Sequence, residues 1–139
     1  MQITSARRRT FSILGAAGLL LSVPVQAQEW ARSDSPFVMG EAFPAVPADC
    51  ETVNYWIDHA PQTEDRVSFA IQGELVQIEW DGALAYLIMC ADTGVQVMCV
   101  TYSKEGLEVG DVVQFAGGYA RVGERQIMLD PCLSSGEGV

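Results

Sequence analysis

Four cysteines, Cys50, Cys90, Cys99 and Cys132, offer the most readable chemistry in this chain of 139 residues. No two of them stand in a C-x-x-C arrangement, the spacing on which thioredoxin-like redox sites and zinc knuckles are built. An even number of thiols in a small domain of an oxidising compartment reads instead as two disulfides, for which three connectivities exist.

The remaining reactive groups point away from catalysis. His59 is the single histidine, so a Ser/His/Asp triad would have to use it, and no serine lies in a G-x-S-x-G context. Its place before Pro61, at the end of a short predicted helix, suits a helix-end cation. The pairs Glu64/Asp65 and Glu79/Asp81 and the triple Glu105/Glu108/Asp111 would do acid–base chemistry only at a defined separation. With 18 Asp+Glu in the chain, such groupings arise by chance. No EF-hand spacing calls for calcium. The reading is a non-enzymatic domain that needs no cofactor and no metal.

The oxidising compartment is implied by the first 27 residues. Arg7, Arg8 and Arg9 form a positive end, Ser12 to Val23 is a short apolar stretch, and Val25-Gln26-Ala27 supplies small residues for cleavage after Ala27. Arg8-Arg9-Thr10-Phe11 resembles the twin-arginine pattern, a receptor-read export address; the alternative is an ordinary Sec signal whose positive end carries three arginines. An apolar stretch of this length is too short to span a bilayer, which takes about 20 residues. The expectation is an exported, periplasmic protein without a membrane span. Removing the three signal arginines from the 8 Lys+Arg leaves 5 against 18 Asp+Glu, a net charge of −13. A polyanion repels phosphate backbones, so the expectation is no nucleic-acid partner.

Behind the signal, residues 28–48 carry Pro36, Pro44 and Pro47 and read as an extended linker with Trp30 or Phe43 as anchors. Asp49 is a suitable N-cap for a helix in which Val53, Trp56, Ile57 and Ala60 share one face, ended by Pro61. From Val67 the period becomes two. The first strand runs to Trp80 with Gly73 marking a bulge or bend. Turn signals at Asp81-Gly82 and Asp92-Thr93-Gly94 separate it from strands over Leu84–Cys90 and Val95–Tyr102. A short connection with Gly106 and Gly110 leads to a strand over Val112–Tyr119, bent at Gly117-Gly118, and a last one over Arg125–Leu129. Residues 133–139 read as a polar tail.

Five strands in this order, with the segment Leu107-Glu108-Val109-Gly110-Asp111-Val112-Val113 running into Phe115-Ala116-Gly117-Gly118-Tyr119, resemble an OB-fold domain over residues 66–132. The resemblance implies an all-β architecture: a small five-stranded OB-like barrel with a short N-terminal helix, stapled by disulfides, over residues 49–132. It departs from the family in its short, glycine-bearing connection between the third and fourth strands, where the usual helix is missing or reduced, which keeps an SH3-like barrel or a small sandwich open. On this arrangement Cys90 pairs with Cys99 across the second hairpin, and Cys50 with Cys132 across the barrel.

With Cys90 and Cys99 on one face, Leu84, Tyr86, Ile88 and Val97 lie beside them, and the opposite face carries Leu87, Met89, Met98, Val100 and Tyr102. A half-buried sheet normally shows polar residues on one side, so something covers this second apolar face. The N-terminal helix is one candidate. A partner is the other, since OB-folds bind through these two strands. The expected function is a non-enzymatic periplasmic binding or accessory module that meets a protein partner or a small ligand there. The alternatives are a small structural subunit of an exported enzyme complex and an envelope-stress OB-fold protein.

Overall fold

The computed structural model describes Gly18, residues 32–104 and residues 106–136. Arg8, Arg9, Phe11 and Ala27 of the export signal, and Trp30, lie outside the described residues. The chain in order forms β1 (Phe37–Met39), β2 (Ala48–Asp49), α1 (Val53–Asp58), β3 (Val67–Trp80), β4 (Ala85–Met89), β5 (Gln96–Thr101), β6 (Val112–Gly123) and β7 (Gln126–Gly136).

The long strand β3 organises the rest. Residues Ser68 to Glu74 pair antiparallel with β6, and Leu75 to Trp80 pair antiparallel with β4. The partner changes between Glu74 and Leu75, next to Gly73, and a bulge follows between Leu75 and Gln77, as an interrupted alternation predicts. β4 pairs with β5, β5 runs parallel to β7, and β7 returns antiparallel to β6. The sheet closes as the five-stranded OB-like barrel β3-β4-β5-β7-β6 expected from the sequence. The connection from β5 to β6 holds no helix among the described residues. It is tied to β3 by Leu75 N–H to Asp111 O at 2.9 Å and Gly110 N–H to Leu75 O at 2.8 Å.

Residues 28–48 are more than a linker where they are described. Because β4 joins β3 only from Leu75 onward, the same edge of β3 is open upstream. β1 fills it antiparallel to Val67–Phe69, and β2 fills it parallel to Ile71 and Gln72. An open edge of unpaired N–H and C=O groups is a liability that proteins cover, and here a short strap does so. Likewise β7 does not stop at Leu129: Leu133 to Gly136 of the expected tail continue it against β6.

The interior holds Phe69, Ile71, Leu75, Leu87, Met89, Val97, Phe115, Ile127 and Leu129, each essentially without solvent exposure. α1 is shorter than the pattern predicts. Its N-cap is Thr52, and Asp49 instead belongs to β2. The Asp49 carboxylate accepts from Glu51 N–H at 3.0 Å and Thr52 N–H at 2.7 Å, a local turn that competes with capping. Val53 and Ile57 join the interior cluster. Arg121 donates to Ile57 O at 3.4 Å and Arg125 to Asn54 Oδ1 at 2.7 Å. α1 therefore sits where β6 turns into β7, not over the outer side of β4 and β5.

The disulfides are Cys50–Cys90 and Cys99–Cys132, with Cα–Cα distances of 5.0 and 5.4 Å. This corrects both expected pairings. The β4–β5 register sets Leu87 opposite Cys99 and Met89 opposite Val97, which centres the hairpin on Thr93. A Cys90–Cys99 pair needs the centre between Gly94 and Val95. Cys90 lies beyond the end of β4, at φ +63°, and reaches Cys50 at the end of the strap.

Candidate functional site

The register that corrects the disulfides also divides the five residues expected on one face. A shift by an odd number of positions turns every side chain to the other side of a strand. Leu87 and Met89 point into the barrel with Cys99 and Val97 and are fully buried. Met98, Val100 and Tyr102 lie outside, in line with Tyr86 and Ile88 of β4 and with Met128 of β7, which stands opposite Met98. This outer strip is apolar and internally close-packed: Ile88 is 4% exposed and Val100 7%, while Tyr102 at its end is 79% exposed.

Acids border the strip. Asp81 holds the β3–β4 turn, accepting from Ala83 N–H at 2.8 Å, Leu84 N–H at 2.7 Å and the Tyr86 hydroxyl at 2.8 Å. The amide of Leu84 first, then that of Ala83 and the Tyr86 hydroxyl, hold the Asp81 carboxyl below its ordinary range. The same bond, with Asp130 adding negative charge, pushes the Tyr86 phenol up. Glu79 stands opposite Tyr86 on β3. The result is an aromatic and aliphatic strip with a negative rim.

The other predicted groups take separate places. His59 Nδ1 lies 2.7 Å from Tyr55 O, and its ring stacks on the Tyr55 ring at 4.2 Å. Glu64 and Asp65 are exposed in the loop before β3. The Asp111 carboxylate accepts from Glu108 N–H at 2.8 Å, and Glu105 lies outside the described residues. No group of three His, Cys, Asp or Glu side chains is placed to hold a metal ion among the described residues.

A second surface escaped the sequence reading. On the outer side of β3, β6 and β7, Ser68, Ala116, Gly117 and Gly118 form a floor of small residues, walled by Phe43 and Leu133. The hollow above it is about 350 Å³. Gly117 and Gly118 are small because β7 crosses close by. A β-carbon at Gly118 would stand 2.7 Å from Asp130 O, and one at Gly117 would strike Pro131 O. The paired glycines were visible in the sequence as a bend, but the walls come from segments far apart in the chain. A further hollow of about 480 Å³, beside the Cys50–Cys90 disulfide, is lined by Asp49, Glu51, Glu74 and Asp92.

The sequence matches no family model and no curated protein.

Proposed function

We propose that this domain is an exported, non-catalytic binding module. It would take the basic surface of a protein partner on the outer strip at Tyr86, Met98 and Tyr102, the last of them 79% exposed. The observation that supports this reading is the acidic rim of Glu79, Asp81 and Asp130 around that strip. Apolar contact area supplies affinity at the centre of an interface, while complementary charge at the rim speeds association and excludes wrong partners. A net charge of −13 after signal removal steers cationic partners over distances of about a Debye length, roughly 8–10 Å in physiological salt. Two disulfides fit an extracytoplasmic setting.

The experiment is purification of the protein from the envelope of its own host, at low and at high salt, alongside Tyr102→Asp. Tyr102 is exposed enough that the change leaves the fold intact. The reading expects one protein in fixed stoichiometry at low salt, its release as salt rises, and its loss with the variant. Recovery of the domain alone at low salt overturns it. Export itself is tested by changing Arg8 and Arg9 to Lys, which stops a twin-arginine substrate.

A further inference from the structure

We infer that the groove over β3, β6 and β7 is a binding site for a small apolar monocarboxylate, with Arg66 as its anion-binding group. Ligand sites are concave, mostly apolar, and carry a few placed polar groups, typically within about 300–1,000 Å³. This hollow of about 350 Å³ has apolar walls in Phe43 and Leu133, which are 67% and 62% exposed. A side chain of that size left uncovered on both sides of a small-residue floor offers its area to whatever fills the gap.

Arg66 supplies the polar end. Its guanidinium lies over Gly118, 3.3 Å from where a β-carbon would stand, so the glycine gives it room to reach the floor. Its ion partner is Glu41 at 3.3 Å, on the strap. That carboxylate is three-quarters exposed, and exposed pairs of this kind contribute little. A ligand carboxylate can take the place of Glu41 on Arg66, and a guanidinium binds it through two parallel N–H donors. In a domain with so few cations, Arg66 on an apolar groove selects an anion, and the size of the groove selects a small one.

The strap that carries Phe43 and Glu41 is held in place. Gly40 N–H donates to Arg66 O at 2.7 Å, and the Ser68 hydroxyl donates to Gly40 O at 2.7 Å. Both bonds fix the strap at Gly40, beside Glu41 and at the rim of the groove, and a fixed strap lowers the ordering cost of binding. It is separate from the β4–β5 strip and works whether or not that strip meets a partner.

The test is titration of the exported protein with phenylacetate, followed by amide chemical shifts, and repeated with phenylacetamide. Saturable shifts at Arg66, Ser68, Gly117, Gly118 and Leu133 are expected. Affinity should fall by about ten-fold or more for the amide and for Arg66→Gln, the loss of one charge-assisted contact. Glu41→Gln should tighten binding by about two- to five-fold, because it frees Arg66 from its exposed partner. Absence of saturable shifts, shifts located elsewhere, equal binding of phenylacetamide, or an Arg66→Gln variant with unchanged affinity overturns the assignment. A Glu41→Gln variant that binds no tighter overturns the exchange of carboxylates.

Discussion

The sulfur of Cys50 lies 2.9 Å from the position a β-carbon on Gly73 would occupy, with the sulfur of Met89 next at 3.1 Å. Gly73 is the next-to-last residue of β3 that pairs with β6, and the Cys50–Cys90 bridge crosses over it. The glycine answers that demand, because the disulfide finds room only where no side chain stands. Gly73→Ala should therefore lower stability by about 1–3 kcal/mol through overpacking. Chemical denaturation of the oxidised protein measures it. Removal of the bridge by Cys50→Ser with Cys90→Ser should reduce the penalty of the alanine, a coupling that a double-mutant cycle reads directly.

The disulfide pairing is checked by cleavage before Asp92, which separates Cys90 from Cys99. Non-reducing peptide maps should then link Cys50 to Cys90 and Cys99 to Cys132. The two bridges span 40 and 33 residues. On the chain-entropy model each stabilises by about 4 kcal/mol, so either double serine variant should lose stability on that scale. A hairpin bridge over the short Cys90–Cys99 separation would have contributed less.

Tyr119 packs its ring against Phe37 and Phe69 at centroid distances of 5.1 and 5.7 Å. Its buried hydroxyl has no hydrogen-bond partner among the described residues. Tyr119→Phe should raise stability by about 1 kcal/mol, because a buried unpaired hydroxyl carries a desolvation cost and the ring contacts survive.

The same burial, with Asp58 adding to it and Arg121 opposing it, pushes the Tyr119 phenol above its ordinary 10.0. Below pH 10 the group is neutral in both states and gives no pH dependence. Above that, the unfolded chain ionises first, and folded stability declines until the folded tyrosine titrates as well. The decline should be shallower in Tyr119→Phe than in the parent protein, measured by thermal melts in the alkaline range.

At the β3–β4 turn, the Asp81 carboxyl should titrate below 3.8 by carbon-detected NMR. Its stabilising bonds are intact above that pH and are lost as pH falls through the folded value. Tyr86→Phe removes one of the three donors and should move the titration back toward 3.8, with the larger part of the depression remaining because the Leu84 and Ala83 amides still donate.

What this sequence determined by itself was local. Alternation from Val67 to Trp80, the turns at Asp81-Gly82 and Asp92-Thr93-Gly94, and the interruption at Gly73 define strands and their order, because period and turn chemistry act over a few residues. That order was enough for the barrel. What only the tertiary structure decided depends on register and on open edges. The offset between a hairpin centred on Thr93 and one centred between Gly94 and Val95 flips side chains across the strand. It sends Leu87 and Met89 inward and leaves Met98, Val100 and Tyr102 outside, and it moves Cys90 to Cys50. β1 and β2 are too short to show a period and form because bent β3 leaves an edge to fill. The groove is assembled from Phe43, Arg66, Gly118 and Leu133, residues that no spacing rule connects, and it exists only once β7 crosses against the glycines of β6.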